Sequence, residues 1–180
     1  MTADARTADA VARAARVRLM IFDVDGILTD GGLYYGPAGE AIKRFNVHDG
    51  LGIKMLRQAG IATAIISARQ SDIVAKRAAD LDIEHVQQGA LDKKTAFEQL
   101  LERTGMRAEE CGFLGDDWID LPILSRVGFA ASVPNGRAEV HARVHYVTTA
   151  RGGDGAAREL CEFLLRAQDK YETAMAPFLA

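Results

Sequence analysis

The sequence is poor in cysteine, in excess positive charge and in long apolar runs, and each shortage closes off a class of function. Two cysteines, Cys111 and Cys161, stand far apart in 180 residues and form no C-x-x-C pair. They read as two reduced, partly buried thiols, which fits a cytoplasmic location. The net charge of −3 argues against nucleic-acid or anionic-membrane partners, which require a basic surface, but leaves room for a small basic pocket holding an anionic metabolite. No apolar run approaches the ~18 residues of a membrane span. The longest, residues 59–66, has the length of a buried strand. There is no apolar core of a secretion signal, and Asp4 and Asp9 argue against a transit peptide. Residues 1–16 therefore read as a short surface helix or a frayed arm. His85, His141 and His145 lack metal-ligand spacing. Internal repeats and linkers are absent, so a single domain over 1–180 is expected.

What the chain does have is alternation. Strand-like runs at 17–22, 61–66, 84–86, 111–114, 127–130 and 145–147 alternate with helical patterns at 49–58, 71–81, 92–103, 118–125, 135–142 and 154–168. Asp49 and Ser71 are candidate caps, and Gly60 and Gly105 are stops. This is the pattern of an α/β fold, a Rossmann-like parallel sheet with helices on both faces. Residues 31–46 differ. Two strand-like halves flank Gly36-Pro37-Ala38-Gly39, a turn signal, and predict a protruding β-hairpin. Its aromatic residues fall outside the alternation, so they are expected to pack on something, such as another subunit. Gly152-Gly153-Asp154-Gly155 reads as a flexible hinge before the last helix. The tail, 169–180, is either disordered or reaches a neighbouring subunit.

Sites in parallel sheets lie at the carboxyl ends of the strands. Four clusters fall there: Asp23-Val24-Asp25-Gly26, Ser67-Ala68-Arg69, Lys93, and Gly115-Asp116-Asp117-Trp118-Ile119-Asp120. Singly, each is a turn or a solvated charge. Together they supply what phosphoryl transfer needs: a nucleophile, charge neutralisation and a proton for the leaving group. Asp23, held at a strand end, would attack phosphorus. Asp25 would protonate the leaving alcohol and then activate water. Ser67 offers a hydroxyl to the phosphate, and Lys93 a point charge. Asp23 and Asp116 supply hard oxygen ligands for Mg²⁺, with Asp25 joining the metal set and a backbone carbonyl and waters completing the shell. Asp117 and Asp120 stand behind them.

These residues resemble the four motifs of the haloacid dehalogenase superfamily, a resemblance that implies Mg²⁺ and an aspartyl-phosphate intermediate. Gly26-Ile27-Leu28-Thr29-Asp30-Gly31, Phe45-Asn46-Val47-His48-Asp49-Gly50 and Gly152-Gly153-Asp154-Gly155 are similar to the 3-deoxy-D-manno-octulosonate 8-phosphate phosphatases, over about 19–168. That family implies a capless fold and a homotetramer assembled through the hairpin. It also implies a phosphorylated sugar acid as substrate and a role in lipopolysaccharide biosynthesis. By the same resemblance, Asn46, Val47, His48, Asp49 and Gly50 form the substrate loop. Lys54, Arg69 and Arg77, together with Asp25 and Lys93, are the remaining substrate-binding positions. Arg69 matches a substrate carboxylate best, because guanidinium binds it bidentately. Lys54 and Arg77 read equally well as an exposed helix face. Two departures stand out: His48 replaces the usual Arg of the loop, and Ser67-Ala68-Arg69 replaces Thr-Gly-Arg. The nine-carbon sugar-acid phosphatases are similar too but carry an acidic residue at position 69. The alternatives are a phosphatase for another small phosphometabolite and, in a different class, a phospho-acceptor signalling module.

Overall fold

The computed structural model describes residues 3–179. Six parallel strands form the sheet: β1 (Leu19–Phe22), β4 (Ala62–Ile66), β5 (His85–Gln87), β6 (Cys111–Leu114), β7 (Phe129–Ser132) and β8 (Tyr146–Val147). Their order is β5-β4-β1-β6-β7-β8. β1 lies centrally, with Leu19 opposite Ala62 on one side and Cys111 on the other. The chain first winds outward from β1 to β5 and then crosses back to β6, so the order reverses between β1 and β6. A crevice opens at the carboxyl ends of strands at such a reversal.

β1 reads as an unbroken apolar run because both of its faces are covered. Met20 and Phe22 pack into one core with α1 (Ala3–Ala14), α2 (Val47–Gln58), α3 (Asp72–Asp80) and α7 (Ala156–Ala167). Leu19 and Ile21 face the other core, which holds α4 (Lys93–Thr104), α5 (Leu121–Leu124) and α6 (Ala138–His141). Among the described residues, no helix is long and apolar enough to cross a membrane.

The hairpin forms as β2 (Tyr34–Gly36) and β3 (Gly39–Ile42), a small separate sheet with Gly36 opposite Gly39. Its root returns to the body through a bridge between Thr29 and Phe45.

Several expectations are corrected. Asn46, not Asp49, caps α2; its side chain accepts from the His48 amide at 2.8 Å. Ser71 starts α3, but its hydroxyl donates to Glu40 instead of capping the helix. Residues 118–125 split into a 3₁₀ turn, Trp118–Asp120, and the short α5. Of the two readings of residues 1–16, the helix holds in α1 and the frayed arm does not: Ala10 and Ala14 are buried, and the Gln168 side chain donates to the carbonyls of Ala14 and Val17. In the tail, α8 (Tyr171–Met175) folds back, with Arg166 stacked 3.4 Å from the Tyr171 ring centroid. Both cysteines are buried and unpaired.

Candidate active site

Asp23 is the first residue past β1, and its amide donates to Leu114 of β6 at 3.0 Å, which holds the backbone in register with the sheet. Its Oδ1 lies 2.9 Å from the ammonium of Lys93. That ammonium also donates to Asp120 Oδ1 at 2.5 Å. Lys93 is therefore fully buried, although it opens a helix. A buried ammonium survives only when paired, so the two carboxylates and the lysine form one unit. Asp120 Oδ2 accepts from the amides of Asp116 and Asp117 at 2.9 and 3.1 Å, shaping the loop that carries Asp116. Asp117 turns outward and caps the 3₁₀ turn through the Trp118 amide. Its carboxylate thus shapes the loop from outside and does not back the site directly.

Asp23, Asp116 and Asp120 offer carboxylate oxygens within 4.8 Å of one another. One ammonium does not balance three carboxylates. Burial, followed by the charges of Asp23 and Asp120, pushes Asp116 up to about 7. Burial also pushes Asp23 up, against the pull of Lys93. Hard oxygen donors, crowded together and short of positive charge, fit a divalent cation. Because both oxygens of Asp120 are already engaged, Asp23 and Asp116 are the residues that would hold it. Gly26 sits against this pair at φ +86°, and a Cβ there would collide with the Asp116 carboxylate.

The Asp25 carboxylate belongs to a different cluster and is not among the carboxylates grouped with Asp23 and Asp116. Its Oδ1 receives the Lys43 ammonium, and its Oδ2 lies 3.6 Å from Arg69 Nε. Arg69 also donates to Glu40 at 3.1 Å and to the Tyr35 hydroxyl at 3.3 Å. Ser67 is buried directly after β4.

The 46–50 loop, expected to contact substrate, divides. Val47 and His48 are exposed on the first turn of α2. Asp49 is buried, and its Oδ1 accepts from the Arg158 amide at 2.8 Å, so its carboxylate is committed to the start of α7. Arg77 is half-buried; it stacks on Phe45 and donates to the Asn46 carbonyl at 3.3 Å, fixing the loop from behind. Lys54 is half-buried on α2 and has no ion pair among the described residues.

The 152–155 segment is not a hinge. Gly152 lies so close to the loop after β1 that a Cβ would overlap the Gly26 carbonyl oxygen. The Gly153 amide donates to the Ile27 carbonyl at 2.9 Å. Sequence reasoning missed Asn135, which joins these pieces. Its Nδ2 donates to the Gly26 carbonyl at 3.1 Å, and its Oδ1 accepts from the Gly152 amide at 2.9 Å. The sequence places Asn135 at the start of a helix over 135–142, but the helix spans only Ala138–His141, and only the fold reveals what Asn135 touches.

The profile of haloacid dehalogenase-like hydrolases matches residues 81–160. The 3-deoxy-D-manno-octulosonate 8-phosphate phosphatase of Yersinia pestis is 43% identical over 166 residues, 92% of this chain and 89% of that protein. The chain belongs to the 3-deoxy-D-manno-octulosonate 8-phosphate phosphatase family. The Escherichia coli K12 phosphatase is likewise 43% identical, over 93% of this chain and 89% of its own. The Moraxella catarrhalis phosphatase, solved with magnesium, phosphate and the sugar acid, superposes with a TM-score of 0.92 at 42% identity, covering 94% of this chain and 98% of that one. The cobalt-bound Haemophilus influenzae phosphatase superposes with a TM-score of 0.89 at 41% identity, covering 93% and 99%. Membership makes the chain a phosphoric monoester hydrolase.

Proposed function

We propose that this protein is a Mg²⁺-dependent phosphatase that converts 3-deoxy-D-manno-octulosonate 8-phosphate to the sugar acid and phosphate, a step of lipopolysaccharide biosynthesis. The observation that carries this reading is the pairing of Asp23, locked at the end of the central strand by Lys93, with Asp116 across the β1/β6 crevice. Asp23 attacks phosphorus and forms an aspartyl-phosphate. Asp25 gives its proton to the departing sugar oxygen and then takes one from the water that hydrolyses the intermediate. Lys93 holds Asp23 in line, and Ser67 offers its hydroxyl to the phosphoryl group. Bound between Asp23 and Asp116, Mg²⁺ would neutralise charge on the phosphoryl oxygens. Arg69, 39% exposed at the side chain, meets the sugar-acid carboxylate in this reading, with Asn46, Val47 and His48 at the edge of the site. In this reading the described residues form one catalytic unit without a separate cap, working in the cytoplasm.

A panel of phosphorylated sugars and amino acids, assayed with Mg²⁺ and with excess chelator, tests the reading. Selective turnover of the eight-carbon keto-acid phosphate is expected, lost on chelation and restored by Mg²⁺. Turnover spread evenly over the panel would remove the substrate assignment, and chelator-resistant turnover would remove the metal.

The hairpin supports a homotetramer, because Leu33, Tyr34, Tyr35 and Ile42 are exposed apolar residues on one protrusion. Light scattering should report a tetramer, and deletion of 33–45 should lower its mass. An unchanged mass would place the interface elsewhere.

A further inference from the structure

The hairpin carries a lysine whose position its sequence hides. Lys43 follows β3 directly, yet its side chain is 1% exposed. Its ammonium contacts Asp25 Oδ1 and lies 3.0 Å from Glu40 Oε1. Glu40 also accepts from Arg69 at 3.1 Å and from the Ser71 hydroxyl at 2.8 Å. Two cationic and two carboxyl side chains thus form a closed square with Asp25 at one corner. The hairpin root is tied down beside it by the Thr29–Phe45 bridge and by Arg44, 2.6 Å from Asp154. Burying an ammonium is costly, and a solvated lysine at the base of a protruding hairpin would avoid that cost.

We propose that Lys43 is a positioning residue for Asp25, so that the hairpin completes the active site of its own chain as well as offering a surface to others. The proposal rests on the reading of Asp25 as the acid that protonates the leaving oxygen. Asp25 lies beyond the end of β1, where the sheet no longer fixes its side chain. Pinning Oδ1 with a buried ammonium fixes the plane of the carboxyl group and hence the place where its other oxygen is presented. In the first step an Asp23 oxygen bonds to phosphorus, the bond from phosphorus to the sugar oxygen breaks, and the Asp25 proton passes to that oxygen. A misplaced carboxyl group slows this step only in proportion to the leaving group's need for a proton.

The test compares kcat/KM of the full-length, Mg²⁺-loaded protein on two substrates. One is the best alkyl phosphate of the panel, expected to be 3-deoxy-D-manno-octulosonate 8-phosphate. The other is p-nitrophenyl phosphate, whose leaving group departs without a proton. This parameter reports only the steps up to cleavage of the ester bond. Lys43→Met should lose about 30-fold or more on the alkyl phosphate and several-fold less on the aryl phosphate. Lys43→Arg should recover part of the difference. The charge-balanced pair Glu40→Gln with Lys43→Met should keep the same selectivity, and it carries the comparison if Lys43→Met fails to fold. Equal losses on both substrates, or no loss on either, would overturn the role of Lys43. Asp25→Asn is the control. A selective loss there with none in the Lys43 variants rejects Lys43 alone, whereas an unselective Asp25→Asn rejects the acid assignment beneath it.

Discussion

Asp23→Asn should leave a folded protein with no more than about one part in 10⁴ of its phosphatase activity. The side chain keeps its shape and can still accept from Lys93, whose ammonium lies 2.9 Å from Oδ1. What disappears is the carboxylate that attacks phosphorus, and its neighbours are otherwise committed: Asp116 would hold the cation. Asp120 is pinned by Lys93 and two backbone amides, and Asp25 is held by Lys43 and Arg69. Folding should survive, because a neutral amide is cheaper to bury than the charge it replaces. Phosphate release and circular dichroism measure the two halves of the expectation. A folded variant working within tenfold of wild type would mean that the nucleophile is another group.

Lys93→Met is expected to abolish activity and also to cost the metal-free protein about 3–5 kcal/mol of stability, the penalty for stranding buried charge. Lys93 and Asp120 are both fully buried at the side chain, and Asp23 is 7% exposed there. The loss has a pH signature. Burial already raises Asp23 above the ordinary carboxylate range, and Lys93 pulls it back. Without the ammonium, Asp23 rises further. A carboxyl group raised in the folded state favours folding when protonated, and that contribution is lost as pH rises through its folded-state value. The deficit relative to wild type should therefore be smallest near pH 5 and grow toward pH 8. Denaturant titrations at both pH values, with chelator present, would show it. A deficit independent of pH would mean that lost packing dominates over stranded charge.

The elements legible in the sequence were those governed by local rules. The strand at Cys111–Leu114 falls where the apolar run places it, and the helix read over 92–103 forms as Lys93–Thr104 and stops at Gly105. The roles that went unread depend on distant partners. Asp49 looks like the cap of its own helix, but its carboxylate meets α7, which lies over a hundred residues later in the chain. The four glycine-rich residues at 152–155 look loose because glycine is permissive. Here the absent side chain serves close approach to Gly26 instead. Lys43, in the run Ala41-Ile42-Lys43-Arg44-Phe45, looks solvated; only the return of the hairpin onto the sheet edge buries it.

The order of strand-end residues, and with it the class of chemistry, was carried by the sequence itself. Runs of apolar residues choose strands locally, and each strand delivers the residue that follows it to the same sheet edge. The division of labour among those residues was settled only by tertiary structure. Whether a carboxylate faces a cation, a helix end or open space depends on which distant segment lands beside it. That is why Asp23 and Asp116 stand together, Asp120 and Lys93 lock them in place, and Asp25 answers to the hairpin.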